Sequence, residues 1–308
     1  MRIIRDTAEF RKIEKPVCLA AGFFDGVHLG HRKVLSAAIE SARACGGEAW
    51  ILTFDRQPIS VLAPSKAPLL LNAPEDRLMM FETLGMDGAL LLPFTRNLAV
   101  QDPEEFVRSL TNGHLAEVRC GDNWRFGRQA AGTPVMLAGL GKKYGFHVGV
   151  VPYAEYEGTK ISSTRIRTAV SEGRLDTAAA MLGRRFFIRN EVVHGRGEGG
   201  PVLGRATANI RLRGDIVLPP PGVYAAEVTV SEGTFPAAVN LGKCPTFGEA
   251  GTTALEAHLL DFDGDLYGQT ATVTFWKRLR DEQRFESPAA LSAQIAQDEL
   301  AVRRLVRR

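Results

Sequence analysis

The chain has 308 residues, of which 45% are hydrophobic and 24% are charged, and 38 basic side chains nearly balance 35 acidic ones. This length predicts two domains, and a net charge of +3 gives no support to a nucleic-acid-binding protein. Its apolar runs are too short to span a membrane, and it begins without a signal-peptide pattern. The four cysteines are scattered and indicate buried thiols: Cys18, Cys45, Cys120 and Cys244. A cytoplasmic enzyme is therefore expected.

The first part of the chain alternates strand-like and helix-like segments. Strands are predicted at 17–21, 49–54, 88–92, 117–120 and 147–152, and helices at 33–45, 74–84, 103–110 and 134–144. Several of these helices open with proline, which suits a first helical turn. The alternation predicts an α/β fold with a doubly wound parallel sheet, in which ligands bind at the carboxyl ends of the strands.

The segment 22–31, Gly-Phe-Phe-Asp-Gly-Val-His-Leu-Gly-His, lies between a predicted strand and a predicted helix. A helix start presents unpaired N–H groups and a positive dipole end, both of which favour anions. Gly26 and Gly30 allow close approach to the backbone. With His28 and His31, the segment predicts a site for a triphosphate whose pyrophosphate leaves. Unreactive loop histidines are one alternative, and zinc binding is a weaker one because no cysteine or zincin glutamate accompanies the pair.

Two later segments carry groups suited to a nucleotide or a flat aromatic ligand. The segment 121–127 follows a predicted strand and offers Trp124 and Phe126 as stacking surfaces, although ordinary packing beneath a loop is an equal alternative. The segment 161–167, Ile-Ser-Ser-Thr-Arg-Ile-Arg, predicts a serine-capped helix that starts at position 164 or 165. Its hydroxyl, N–H and guanidinium groups suit phosphate, and a capped surface helix with solvated arginines is the alternative.

A different pattern begins near position 184. Short strand-like segments joined by glycine-rich loops predict a small antiparallel barrel, with strands at 186–193, 223–230, 234–239, 255–260 and 270–275. Ser287 is predicted to cap a final helix over 287–304, with Pro288 at its first position. We place the domain boundary near Gly183, which gives domains over 1–184 and 185–308.

Together, the segments 22–31, 52–55 (Leu-Thr-Phe-Asp), 121–127 and 161–167 resemble the prokaryotic bifunctional riboflavin kinase/FAD synthetases. The resemblance covers most of the first domain in the expected order. It implies a Rossmann-like nucleotidyltransferase domain that moves AMP from ATP to FMN and gives FAD and pyrophosphate. Such a transfer needs positioning and charge stabilisation rather than a strong base, because the FMN phosphate is already ionised.

The resemblance also implies which residues bind the substrates of this adenylyl transfer. The expected ATP-binding residues are Gly22, Phe24, Asp25, His28, Gly30, His31, Ser163, Thr164 and Arg167. The expected flavin-binding residues are Asn123, Trp124 and Phe126. Three positions depart from the family pattern: Phe23 replaces a small or polar residue, Arg56 a proline and Gln57 a histidine.

Four segments of the second domain resemble the riboflavin kinase module of the same family: 204–210, 240–247, 255–268 and 279–285. The resemblance implies transfer of the γ-phosphoryl group of ATP to the 5′-hydroxyl of riboflavin. Glu256, in an alternating strand-like run, is the expected base, although an exposed strand glutamate is the alternative. Thr207 and Asn209 are expected to hold Mg²⁺ and its phosphates, or else to form a turn. Arg280 and Glu282 are expected to hold the flavin.

Departures in the second domain leave other functions open. Arg205 and Ala206 replace the family's Phe-Pro, and Glu198 stands near the usual position of a basic residue. An adenylyltransferase whose barrel only binds flavin, or has weak kinase activity, is therefore an alternative. A non-catalytic flavin or nucleotide sensor is another, and an RNA-binding barrel is weaker because basic and aromatic residues are not interleaved. The expected partners are riboflavin, FMN and ATP, with no nucleic acid, membrane or obligate protein partner.

Overall fold

The computed structural model describes residues 1–111, 113–193, 207–243 and 253–306, which divide into two compact units, Met1–Ser163 and Thr164–Arg308. Helices α1 to α10 of these residues are Thr7–Phe10, Leu29–Cys45, Pro58–Leu62, Pro74–Thr83, Arg96–Ala99, Pro103–Leu110, Pro134–Tyr144, Ser163–Ser171, Leu175–Leu182 and Pro288–Leu305. Strands β1 to β14 are Arg2–Ile4, Val17–Ala21, Glu48–Phe54, Gly88–Leu92, Leu115–Gly121, His147–Val151, Glu155–Tyr156, Thr159–Lys160, Phe187–Val193, Thr207–Ile210, Gly222–Val230, Gly233–Lys243, Thr253–Leu259 and Thr270–Arg280.

The first unit contains a six-stranded parallel sheet with the order β1-β4-β3-β2-β5-β6. From β2 the chain adds β3 and β4 on one side and then returns to place β5 on the other side of β2. A crevice therefore opens between the carboxyl ends of β2 and β5, where ligands of such sheets bind. The predicted parallel α/β fold is confirmed, and β2, β4, α6 and α7 have the predicted bounds.

Helix α2 shows why this unit folds as the sequence pattern indicates. Its buried residues recur at spacings of one, three and four, so one apolar face covers the sheet: Val34, Leu35, Ala38, Ile39 and Ala42. The helix ends at Gly46, whose φ of 65° is the left-handed conformation that glycine adopts without strain. Beneath it, all five residues of β2 are buried, which is typical of a central parallel strand.

The sheet requires a residue without a side chain at Gly88. This residue on β4 lies beside Trp50 on β3, and the indole of Trp50 is fully buried with Phe10 edge-on at 5.6 Å. A Cβ atom at Gly88 would lie 2.4 Å from Cε2 of Trp50. The core of this unit is therefore closely packed around one large aromatic side chain.

The second unit begins with helices α8 and α9 and continues as a closed antiparallel barrel with the order β10-β13-β12-β11-β14-β9. Along β13 the residues Leu255, Ala257 and Leu259 are buried, as predicted, and Glu256 lies on the opposite face. The predicted barrel is confirmed. Strand β10 was not predicted, because its Thr-Ala-Asn sequence also suits a turn. Strands β12 and β14 continue four and five residues beyond their predicted ends.

The final helix, α10, packs on the barrel. Ser287 caps it by accepting a hydrogen bond from the backbone N–H of Ala290 at 3.2 Å, as predicted. Val302 and Val306 pack with Leu260 in a small apolar cluster. Among the described helices, none is long and apolar enough to cross a membrane. Several residues considered in the sequence lie outside the described ranges: the segment 195–200 with Glu198, the segment 204–206 with Arg205 and Ala206, and the segment 244–247 with Cys244.

We predict that Gly88→Ala destabilises the first unit by about 1–3 kcal/mol, because its methyl group would displace the buried indole of Trp50. The measurement is a denaturant unfolding curve of the full chain. Gly139→Ala is the matched control, since no atom outside the adjoining backbone of its own helix lies within 4 Å of a Cβ built at that position. The control should leave stability unchanged or raise it by up to about 1 kcal/mol. Equal midpoints for the two variants would contradict this account of the core.

Candidate functional site

The loop between β2 and α2 has an unusual backbone. Phe24, Gly26 and Val27 have φ values of 58°, 82° and 41°, and the N–H of Val27 bonds the carbonyl of Phe24 at 3.1 Å. Positive φ is costly for an aromatic residue and more so for a β-branched one. Val27 is nevertheless fully buried, so packing holds the strained turn in place. Backbone strain of this kind is concentrated at functional sites.

This turn brings two histidines together at the start of α2. His28 is the N-cap of the helix, and its Nδ1 accepts a hydrogen bond from the N–H of His31 at 3.2 Å. The two imidazole rings stack with centroids 3.5 Å apart and planes inclined by 17°. Since Nδ1 of His28 is an acceptor, its neutral ring carries the proton on Nε2. The structure therefore places both histidines at a helix start, as predicted. Their binding of ATP phosphates stays a prediction.

His31 is held in its neutral form by its surroundings. Burial lowers the pKa of His31 well below its usual 6.5, and the nearby His28 and Arg77 lower it further. Its Nδ1 is buried and has no hydrogen-bond partner among the described residues. The edge of the ring also meets Phe24, with centroids 5.3 Å apart. At neutral pH this imidazole therefore offers a hydrogen bond rather than a positive charge.

The sequence analysis missed Arg77, which lies directly behind this loop. The side chain comes from α4 and is only 1% exposed. Its Nη1 donates to the carbonyl of Phe23 at 2.5 Å, and its Nη2 donates to that of Phe54 at 3.2 Å. Burial lowers the pKa of Arg77 to about 10, against the opposing effect of nearby carboxylates. The signal in the sequence is an arginine at helical spacing from the buried Met80 and Phe81.

Asp25 connects the loop to two remote segments. Its buried carboxylate accepts hydrogen bonds from the N–H of Leu71 at 2.9 and 3.2 Å. Its backbone carbonyl accepts one from the hydroxyl of Ser163 at 2.9 Å. Further polar side chains buried in this unit are Thr53, Gln57, Asn72 and Asp76. Asp25 and Ser163 thus hold the loop, and their contact with ATP stays a prediction.

The helix expected at position 164 or 165 begins earlier, at Ser163. The hydroxyl of Ser163 donates to the Asp25 carbonyl, so the first residue of the helix also bonds the loop. Thr164 and Arg167 belong to the second compact unit. Their part in an ATP site therefore stays a prediction.

The loop that follows β5 contains the aromatic residues expected to bind flavin. Phe126 is 6% exposed and stacks on Trp124 with centroids 4.6 Å apart and planes inclined by 23°. Its ring also lies near Phe106, at 6.1 Å. Phe126 therefore packs in the core, and its contact with flavin stays a prediction. Trp124 is half-buried and Asn123 is exposed, so these two remain accessible to a ligand.

In the barrel, three polar residues lie side by side on neighbouring strands. Glu256 on β13 pairs with Asn209 on β10 and with Asn240 on β12. All three lie on the outer face, because the residues before and after each of them are buried. Residues directly opposite in an antiparallel pair have Cβ atoms about 4.5–5.5 Å apart. Asn240, which the sequence analysis did not assign, falls on the part of β12 that extends beyond its predicted end.

The carboxyl of Glu256 has a raised pKa. Removal of water by the surrounding protein raises it, and the negative charge of Glu282 raises it further. Glu282 rests on Gly242 of β12, where its carboxyl occupies the space that a side chain would need. A carboxylate with a raised pKa binds a proton more readily, which is what a base for a hydroxyl group requires.

Arg280, expected to hold the flavin, makes contacts within the protein. Its Nε and Nη2 donate to the carboxylate of Asp298, at distances from 2.9 to 3.2 Å, and its Nη1 donates to the carbonyl of Asp281 at 3.1 Å. Asp298 is 6% exposed and lies on α10. Nearby, His258 of β13 lies 3.2 Å from Glu299 of the same helix. Arg280 therefore holds α10 on the barrel, and its contact with flavin stays a prediction.

Thr207 and Asn209 provide neutral oxygen atoms next to Glu256. Thr207 is exposed and Asn209 is half-buried at the end of the barrel where β10 begins. No group of three or more histidine, cysteine or acidic residues that could hold a metal occurs in the described ranges. Hydroxyl and amide oxygens suit Mg²⁺, which takes its remaining ligands from phosphates and water. The two residues fit such an ion.

Comparison with known proteins assigns both units to families. The family model described as FAD synthetase matches residues 10–165, and the one described as riboflavin kinase matches residues 182–306. A bifunctional riboflavin kinase/FMN adenylyltransferase of Escherichia coli is 37% identical over 308 residues, covering 98% of this chain and 97% of that protein. The corresponding proteins of Pseudomonas fluorescens and Bacillus subtilis are 35% and 33% identical, covering 99% and 91% of this chain and 98% and 89% of theirs.

A solved structure shows a similar fold over nearly the whole chain. The crystal structure of a protein from Streptococcus pneumoniae, described as a macrolide-efflux protein, matches with a TM-score of 0.84. It is 30% identical and covers 98% of both chains. Its description differs from the flavin-related names of the family models and of the curated relatives, which agree with one another.

We predict that acid destabilises the first unit through His31. The folded-state pKa of His31 is depressed, so between that value and about 6.5 the unfolded chain binds a proton that the folded chain does not. The contribution of His31 to stability is therefore complete above about pH 6.5 and declines as the pH falls below it. Denaturant midpoints at a series of pH values should fall less on acidification for His31→Asn than for the wild type. His147→Asn, at an exposed position, should follow the wild type; identical profiles for all three proteins would refute this role of His31.

Proposed function

The chain belongs to the bifunctional riboflavin kinase/FMN adenylyltransferase family, and from this membership we propose how its residues make FMN and FAD. The protein is a transferase that phosphorylates riboflavin with ATP and then adenylylates FMN with a second ATP, releasing pyrophosphate. One observation supports both activities: each of the two family models matches its own part of the chain. An adenylyltransferase with an inactive barrel is not favoured, because the riboflavin kinase model matches the barrel.

We propose that residues 1–184 form the adenylyltransferase domain and residues 185–308 the kinase domain. The ends of the two family matches, at 165 and 182, support a boundary in this region. Helices α8 and α9 occupy the interval between them, although the compact units divide already after Ser163. We also propose a cytoplasmic location, which the free thiols of Cys18, Cys45 and Cys120 support.

For adenylyl transfer, an oxygen of the FMN phosphate attacks the α-phosphorus of ATP. The bond from that phosphorus to the α–β bridging oxygen breaks, and pyrophosphate leaves with the electron pair. We propose that the start of α2 and the Nε2–H of His28 bind the departing phosphates, together with His31. Arg77 positions this loop from behind. The other proposed ATP-binding residues are Gly22, Phe24, Asp25, Gly30, Ser163, Thr164 and Arg167, and the proposed flavin-binding residues are Asn123, Trp124 and Phe126.

For the kinase reaction, the 5′-hydroxyl oxygen of riboflavin attacks the γ-phosphorus of ATP. The β–γ bridging bond breaks, ADP leaves with the electron pair, and the hydroxyl proton passes to the Glu256 carboxylate. The raised pKa of Glu256 supports this assignment. Thr207 and Asn209 would hold Mg²⁺, which when bound neutralises charge on the phosphates. Arg280 and Glu282 are proposed to help form the flavin site, Arg280 through its hold on α10.

We predict that Glu256→Gln abolishes FMN formation and spares FAD formation. Loss of a general base should slow the riboflavin kinase reaction by about 100-fold or more. The measurement is chromatography of flavin products, with riboflavin, ATP and Mg²⁺ in one assay and FMN, ATP and Mg²⁺ in another. Glu286→Gln, at an exposed glutamate outside the barrel strands, is the matched control and should keep both activities. Undiminished FMN formation by Glu256→Gln would remove this residue from the mechanism.

The reciprocal prediction concerns His28. His28→Ala removes a phosphate-facing donor and a helix cap, so FAD formation from FMN should fall by about 10- to 100-fold. FMN formation from riboflavin should be unchanged, and it serves as the internal measure of intact protein. His147→Ala is the control for replacing a histidine elsewhere in the same unit. Equal loss of both reactions in His28→Ala would indicate a folding defect instead of a catalytic one.

A further inference from the structure

Asn240 has a buried polar atom that nothing described in the protein satisfies. Its side-chain oxygen, Oδ1, is inaccessible to solvent and accepts no hydrogen bond within the part of the chain that the structure describes. Buried side-chain oxygens in folded proteins almost always have a partner, because leaving one unpaired is costly. The residue lies on β12 directly opposite Glu256. A buried acceptor without a partner, next to the proposed base, is typical of a group that a ligand completes.

The two sides of Glu256 differ in chemistry. On the β10 side lie Thr207 and Asn209, the residues proposed for Mg²⁺ and the phosphates of ATP. On the β12 side lie Asn240 and then Gly242, against which the Glu282 carboxyl rests. Gly242 also pairs with Ala254 of β13, so small residues border Asn240 along these two strands. The oxygens proposed for Mg²⁺ and the Glu282 carboxyl therefore lie on opposite sides of Glu256.

The reaction geometry indicates which of the two substrates lies next to Asn240 when bound. In phosphoryl transfer, the attacking and leaving oxygens lie roughly in line on opposite sides of the phosphorus. ATP approaches from the β10 side, and the attacking hydroxyl must lie next to Glu256. The remainder of the alcohol therefore extends away from ATP, toward β12 and Asn240. For riboflavin, the atoms that follow the 5′-hydroxyl belong to the ribityl chain, which carries further hydroxyl groups.

We propose that Oδ1 of Asn240 accepts a hydrogen bond from the ribityl hydroxyl adjacent to the reacting 5′-hydroxyl, which makes Asn240 a specificity-determining residue of the kinase site. This inference rests on the proposed role of Glu256. A hydroxyl donor matches the acceptor that is left unpaired, and a neutral amide does so without placing another negative charge beside Glu256 and Glu282. A site built to bond a hydroxyl rejects the analogue that lacks it, because its own polar atom is then left unpaired.

The test compares riboflavin with 4′-deoxyriboflavin in the wild type and in Asn240→Leu, by kcat/KM of the kinase reaction. For the wild type, kcat/KM should be about 10- to 100-fold lower with the deoxy analogue than with riboflavin. With riboflavin as substrate, kcat/KM should be lower by a similar factor in Asn240→Leu than in the wild type. The variant should show no further loss on the deoxy analogue, since the bond is already absent. If kcat/KM of Asn240→Leu with the deoxy analogue falls by the product of the two separate factors, then Asn240 does not contact this hydroxyl.

Stability separates this role from a structural one. Leucine has a similar size and removes the unpaired oxygen, so Asn240→Leu should unfold at the same or a higher temperature than the wild type. Lower stability together with equal loss on both substrates would overturn the proposal. Asn240→Ala provides a second variant if leucine prevents folding, and the same non-additive pattern is expected for it.

Failure of the inference is distinguishable from failure of the proposed function. If Glu256→Gln keeps full kinase activity, then the assignment of the base is wrong, and the geometric argument for Asn240 is wrong with it. If Glu256→Gln loses activity while Asn240→Leu treats both substrates as the wild type does, then only the inference about Asn240 fails. FAD formation from supplied FMN should be unchanged in every variant.

Discussion

The arrangement of the proposed adenylyltransferase site depends on the buried guanidinium of Arg77. Burying a charge is costly, and here two backbone carbonyls and the negative charges of Asp25, Glu75 and Asp55 offset part of the cost. In return, the side chain joins the loop after β2 to the end of β3. The strained turn that presents His28 and His31 therefore has a fixed support behind it. The proposed phosphate site, with the neutral imidazole of His31 and a helix start, needs such support, because its strength comes from orientation more than from net charge.

The proposed kinase site depends on a different constraint, the register of a closed barrel. Side chains alternate between the two faces of a strand, so a slip of one residue would turn Glu256 into the interior. Closure leaves β10, β13 and β12 without a free edge in this region, which fixes Asn209, Glu256 and Asn240 in one row. The two proposed sites thus depend on separate structural features, a helix terminus in one unit and a strand register in the other.

Several residues expected to contact substrates also make contacts within the protein that hold it together. Phe126 packs in the core under Trp124, and Arg280 fastens α10 to the barrel through Asp298. Asp25 uses its carboxylate to bond the backbone at Leu71. A motif residue can therefore support a site through contacts within the protein, and a resemblance between sequences does not separate this role from contact with a ligand.

The sequence by itself determined the elements with strong local signals, the order of the two domains and the family. The buried apolar run of β2, the proline starts of α6 and α7 and the cap at Ser287 are all decided within a few residues of chain. Only the tertiary structure decided the neutral state of His31, the support by Arg77 and the position of Asn240 opposite Glu256. These features depend on burial and strand pairing between segments far apart in the sequence, which local patterns do not specify.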